Sequence, residues 1–185
     1  MIKKFYQSVN SMKFAIPMTS LAFLIFVEAF LMTMGKAVSK LYIALIITAV
    51  ILAVIMVFYY YNKIKVNTQL KKINDLKAYE DGGMIDRTYI LEDRMLVCSG
   101  IKIEEVKTKD VVGAVLEEKA HGKYVMHLKD ASHFIDMSLL DKEDGQKVAA
   151  YLKRVNPSVS LTNVEPKGQG TLKELGADVH YGNKV

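Results

Sequence analysis

LYIALIITAVILAVIMVFYYY, residues Leu41 to Tyr61, is the stretch that decides how this chain is built. It carries no charged residue, and as a helix it is about 31 Å long at ~1.5 Å per residue, the thickness of a ~30 Å hydrocarbon layer. A soluble core helix of that length would show a charged face. This one reads as a transmembrane span.

On its N-terminal side, Gly35 to Lys40 separate it from FAIPMTSLAFLIFVEAFLMTM, Phe14 to Met34, a run of similar length broken by one acidic residue. A connection of about six residues forces neighbouring antiparallel helices, so residues 14–61 are expected to form a transmembrane hairpin. Pro17 is expected in the opening turn of the first span, where a missing N–H costs little. A cleaved signal peptide is the competing reading, since Lys3 and Lys4 precede the apolar run and Ala37-Val38-Ser39 resembles a cleavage site. The run is too long for that, because signal-peptide apolar regions take about 7–15 residues. In residues 1–13, Ile2, Phe5, Tyr6, Val9 and Met12 recur at helical spacing, which fits a helix lying in the membrane interface as well as a frayed start.

Charge is divided along the chain. Residues 1–78 hold ten lysines against Glu28 and Asp75, a net +8, whereas residues 79–185 hold fifteen basic against eighteen acidic residues, a net −3. The basic excess therefore lies beside the spans, and a nucleic-acid partner is not expected from a mildly acidic soluble region. Lys3, Lys4 and Lys13 precede the first span, only Lys36 and Lys40 lie between the spans, and Lys63, Lys65, Lys71, Lys72 and Lys77 follow the second. The positive-inside rule places both termini in the cytoplasm of a multi-pass protein of the cell (inner) membrane. Phe58 to Tyr61 fall where an aromatic belt belongs, with Tyr42 as a smaller counterpart on the outer side.

Glu28 is the most unusual residue in the spans, since an intramembrane carboxylate is costly unless neutralised, paired or near the surface. It sits six residues before Met34, and Thr48 sits seven after Leu41, so an antiparallel hairpin brings them to similar depth, roughly 9–10 Å inside the outer boundary. Glu28 and Thr48 are the candidate intramembrane polar contact. A protonated glutamate tying two helices together is favoured over an ion, proton or partner-subunit site. Ala49 and Ala53 form a small-xxx-small pair of low specificity.

Residues 62–82 read as a basic helical stalk. Its Lys63, Lys65, Lys71 and Lys72 are candidate contacts for anionic membrane lipid, although the same lysines serve as ordinary topology signals. Beyond Gly82-Gly83 the periodicity changes to short β-branched runs. Strands are expected at Met84–Leu91, Arg94–Ser99, Ile101–Val106, Val111–Glu118, Lys123–Leu128 and His133–Met137, separated by turn residues such as Ser99-Gly100 and His121-Gly122. Lys142–Val155 follows as an amphipathic helix with Asp141 as its cap and Val148, Tyr151, Leu152 and Val155 on its apolar face. Residues 83–156 are thus expected to form a small β-rich α+β domain of six or seven antiparallel strands plus a C-terminal helix, and residues 157–185 a partly ordered tail.

Tyr89-Ile90-Leu91, Met95-Leu96-Val97 with Gly100, the stretch Glu104 to Val111, and His133 to Met137 before the helix follow one another in an order similar to the membrane-anchored bacterial pleckstrin-homology-like (PH-like) domains. The resemblance covers roughly residues 84–156. A hairpin followed by such a domain also resembles the YcxB-like architecture, without its aromatic-then-Pro-Lys-Arg segment before the last helix. The resemblance implies a PH-like fold and a non-catalytic binding role.

Chemistry-bearing motifs are sparse. There is no phosphate-binding glycine loop, nucleophile elbow or helical zinc-protease motif. His121, His127, His133 and His180 have no metal-site spacing, and only His127 and His133 are placed to meet across a hairpin. Glu104-Glu105, Glu117-Glu118 and Glu143-Asp144 are sequence neighbours; on a strand such pairs point to opposite faces. Cys98 is expected to be a buried strand residue. No catalytic residue, cofactor or metal is therefore expected. The function expected is a membrane-anchored cytoplasmic binding or scaffold module with a protein partner, with room for a homo-oligomer; the alternative is an accessory or oligomerising subunit of a transporter or channel complex.

Overall fold

The computed structural model describes residues 1–35 and 38–176. Lys36, Ala37 and His180, which entered the topology, cleavage-site and histidine readings, lie outside the described residues, as does the end of the tail from 177 onward. Contacts divide the chain into two units: Lys3–Thr68, and Gln69 onward together with Met1–Ile2.

The first unit is a pair of long helices, α1 (Ile2–Thr33) and α2 (Val38–Leu70), both long and apolar enough to cross a membrane. Two expectations change here. α1 runs without a break from Ile2, so residues 2–13 continue the first apolar helix instead of forming a separate segment. Pro17 therefore lies well inside a helix, where it removes one i→i−4 rung. On α2 the more buried positions, Leu41, Leu45, Thr48, Leu52, Ile55, Tyr59, Asn62 and Val66, alternate in steps of four and three. That is the 3.5-residue repeat of a coiled-coil seam. On α1, Asn10, Phe14, Pro17, Leu21 and Glu28 lie on the corresponding buried side. Within the apolar runs, large apolar side chains also face outward: Phe23, Phe26 and Val57 are each 68% exposed. Ala49 and Ala53 belong to the outward face, not to the seam.

α2 ends at Leu70, so the expected stalk is helical only over its first half. Asn74 and Asp75 explain the change, since Asx side chains compete for backbone donors and favour turns. The Asp75 carboxylate accepts the Ala78 N–H (3.3 Å), and a short 3-10 turn, Ala78–Asp81, leads into the strands.

The second unit holds β1 (Gly83–Ile85), β2 (Thr88–Ile90), β3 (Arg94–Ser99) and β4 (Lys102–Lys107), an antiparallel meander in that order. β5 (Gly113–Lys119), β6 (Lys123–Lys129) and β7 (Phe134–Leu139) form a second sheet, ordered β7-β6-β5-β8 with β8 (Ser160–Thr162). The strand expected at Met84–Leu91 is in fact a hairpin. Asp86, at φ +48°, and Arg87 make its two-residue turn, and Asp tolerates that left-handed conformation better than most residues.

α3 (Lys142–Val155) closes the unit, and Asp141 caps it as expected, its carboxylate accepting the Asp144 N–H at 2.8 Å. Val148, Tyr151 and Leu152 are fully buried among Met95, Val97, Leu116, Met126, Leu128 and Met137 from both sheets. The Tyr151 hydroxyl donates to the Leu91 carbonyl and meets the buried Thr108 hydroxyl at 3.1 Å, tying the helix to both loops that flank β3 and β4.

Residues 157–176 are more than a tail. β8 pairs in parallel with β5, Leu175 is buried in the core, and its carbonyl accepts the Met84 N–H (2.8 Å) on the edge strand β1. Gly170 sits at φ +66° with its α-carbon against the Ala150–Tyr151 backbone, and a Cβ there would lie 2.6 Å from Ala150 C and O. Gly170→Ala is therefore expected to destabilise the β unit by about 2 kcal/mol or more. Urea unfolding of the detergent-solubilised protein, followed by tyrosine circular dichroism, measures this; an unchanged midpoint would show that the segment is not docked.

Candidate functional site

Glu28 and Thr48, the pair expected at matching depth, do meet. The Thr48 hydroxyl lies 3.1 Å from Glu28 Oε1 and 3.0 Å from the Ala44 carbonyl, with both residues buried in the seam. One hydroxyl hydrogen serves two acceptors, and Glu28 Oε2 is buried with no hydrogen-bond partner. The carboxyl thus faces its own hairpin, and its contact fixes the register of the two helices. Thr48→Val is expected to weaken helix association by about 1 kcal/mol. Adding Glu28→Leu should recover most of that loss, because no buried oxygen is then left unpaired. Denaturant titration in bicelles compares the two variants, and equal stability of both would show the contact to be idle.

At the opposite end of the hairpin the seam turns polar. Gln7 Nε2 donates to Asn67 Oδ1 (2.7 Å), and Asn10 Nδ2 donates to the Tyr6 carbonyl (3.1 Å). A cavity of about 90 Å³ opens between the helices, lined by Gln7, Asn10, Ser11, Tyr59, Asn62, Lys63 and Val66. Phe14 meets the Tyr59 ring edge-on at 6.0 Å, and Lys63 Nζ lies 5.9 Å from the same ring. Asn10 is 5% exposed, and its Oδ1 has no hydrogen-bond partner.

The four lysines expected to contact lipid are divided between the two units. Lys63 and Lys65 are exposed on α2 but two residues apart, hence about 200° around the helix. Lys71 and Lys72 follow α2 in the other unit. There Lys72 lines a shallow groove with Gln69, Ile73, Lys102, Ile103, Glu104 and Glu105, where the Gln69 side chain accepts the Ile103 N–H of edge strand β4 (2.6 Å).

Two polar clusters mark the second sheet. His127 on β6 is bracketed by Asp136 on β7 (Nδ1 to Oδ1, 2.7 Å) and Glu117 on β5 (Nε2 to Oε2, 2.8 Å), while Lys119 reaches the same Glu117 oxygen at 2.6 Å. Partial burial pulls the His127 pKa down, but hydrogen bonds to Asp136 and then Glu117 outweigh it, so the net direction is up from 6.5. A raised folded-state pKa contributes stability that is complete below the unfolded value and lost as pH rises through the folded one. Stability should therefore fall as pH rises from the ordinary histidine value of 6.5 through the higher folded-state value, and His127→Gln should flatten that slope. Melting curves across this range measure it; identical slopes for the two proteins would contradict the ladder. His127 and His133 do not meet.

At the β6–β7 turn, Ser132 Oγ lies 2.7 Å from His133 Nδ1, with Glu104 3.8 Å from His133 Nε2. This order of groups resembles a hydrolytic triad, but Asp130 Oδ1 takes the Ser132 hydroxyl and both the Ser132 and His133 backbone N–H groups. These bonds make Ser132 and His133 part of the turn's own hydrogen-bond network. The backbone bonds from Ser132 and then His133 hold the Asp130 pKa down at about 2. Glu104 and Glu105 find separate partners, Lys102 and Tyr79 respectively. Cys98 is buried on β3 as expected. Among the described residues no three His, Cys, Asp or Glu side chains are grouped to hold a metal ion.

No protein-family model matches the chain, and no curated protein or solved structure matches it. The sequence reading singled out Glu28, Thr48 and the lysines but passed over Gln7, Asn10 and Asn62. The signal that would have found them is a cluster of amides just outside both apolar runs, at positions an antiparallel hairpin brings level.

Proposed function

We propose that this chain is a membrane-anchored module: the hairpin crosses the bilayer twice, both termini are cytoplasmic, and the β unit binds a protein partner. The observation that carries it is the contrast between the two units. The β unit has a complete apolar core of its own, whereas the helices keep apolar side chains on their outward faces, a surface suited to lipid rather than water. The lysines flanking the spans support the orientation. Four strands, then three, then a closing helix support the PH-like reading of the β unit, with β8 as an addition beyond that pattern. The role is binding without chemistry, and lipid and a protein are the partners.

The second reading, an accessory or oligomerising subunit, is favoured by one observation. Ala49 and Ala53 lie on the outward face of α2, open to another helix. Photo-crosslinking residues placed at exposed Val112 and Phe134, and separately at Ala49, distinguish the two in native membranes. A protein adduct from the β-unit positions is expected. Adducts from Ala49 alone would replace the module with the subunit.

A further inference from the structure

We infer that the polar cavity at the cytoplasmic end of the hairpin is a binding site for one phospholipid headgroup, anionic and hydroxyl-bearing, of the phosphatidylglycerol class. The inference rests on the membrane-anchor reading above. Depth comes first. Gln7, Asn10 and Ser11 precede Phe14 by three to seven residues, and Asn62 and Lys63 follow Tyr61 by one and two. At ~1.5 Å per residue the cavity falls within about 10 Å outside the apolar boundary, which is the headgroup layer.

Charge and hydrogen-bonding capacity then select the ligand. Among the described residues Lys63 is the one charged group on the cavity wall and suits a phosphate, and none of them there is a carboxylate that would receive an ammonium head. Asn10 places one of its two amide N–H groups on Tyr6 and leaves Oδ1 without a donor, and Ser11 spends its hydrogen on the Ser8 carbonyl (2.9 Å). The wall therefore combines one cation with a buried acceptor, Asn10 Oδ1, in want of a hydrogen. A phosphodiester alone offers only acceptors, whereas a glycerol headgroup adds hydroxyl donors. Phe14 against Tyr59 supplies an aromatic pair on the side facing the apolar layer, beside which the acyl chains can lie.

The test uses the full-length protein in neutral detergent. Thermal unfolding is followed during titration with phosphatidylglycerol, phosphatidylserine, phosphatidylcholine or soluble glycerol phosphate. Phosphatidylglycerol is expected to raise the midpoint more than phosphatidylserine of equal net charge. Lys63→Gln should lower its apparent affinity about fivefold. Asn62→Leu should narrow the gap between the two lipids, while Lys65→Gln, on the far side of the helix, should change neither. Equal effects of the two anionic lipids, or equal losses for Lys63→Gln and Lys65→Gln, would overturn the site in favour of diffuse attraction. An equal shift from glycerol phosphate would overturn the lipid in favour of a free phosphate ester. Alkaline extraction of native membranes separates the failures: a chain released into solution defeats the anchor reading itself, and a retained chain without lipid preference defeats only the headgroup site.

Discussion

The narrow seam between α1 and α2 is the constraint on which the rest depends. Two helices in contact can cover only one stripe of each other, here the positions repeating every 3.5 residues along α2 from Leu41 to Val66. Phe23, Phe26, Phe30, Ile47 and Val57 stay outside that stripe. In the proposed bilayer they meet acyl chains, and the helix–helix contact needs no further apolar burial to persist, since lipid is as apolar as the seam. What holds the helices in register is then polar: Glu28 with Thr48 near one end, and Gln7 with Asn67 near the other.

The β unit obeys a different rule. Its stability comes from apolar side chains removed from water, and α3 is where they converge, with Val148, Tyr151 and Leu152 covered by both sheets. Its polar devices are local locks. Asp130 organises the β6–β7 turn, Asp141 starts α3, and the Tyr151 hydroxyl joins α3 to Leu91 and Thr108. The His127 ladder lies on the outer face of its sheet, opposite Met126 and Leu128, and makes that surface charged rather than apolar.

How much was legible in the sequence follows from the range of the interactions involved. The two apolar runs, α3 with its Asp141 cap and the strands from Arg94 onward are encoded by periodicity and by turn residues close at hand. The depth match of Glu28 and Thr48 was also legible, because a short connection leaves little freedom of register. Asp86-Arg87 was missed: nothing in its neighbours distinguishes a two-residue reversal from a continuing strand. The docking of β8 and Leu175 was missed because their partners, β5 and Met84, lie far back in the chain. The amide-lined cavity depends on residues separated by the whole hairpin, each unremarkable alone.

A depth profile along α2 addresses the bilayer placement of the hairpin most directly. Nitroxide labels would replace outward residues Ile43, Ile47, Val50, Val54, Val57 and Tyr61 one at a time, in a Cys98→Ser background reconstituted in vesicles. A membrane span predicts oxygen accessibility with one maximum near Val50 and Val54, falling toward both ends, and the opposite trend for a water-soluble relaxation agent. Uniform exposure to the aqueous agent along these positions, or protection without any gradient of depth, would contradict it.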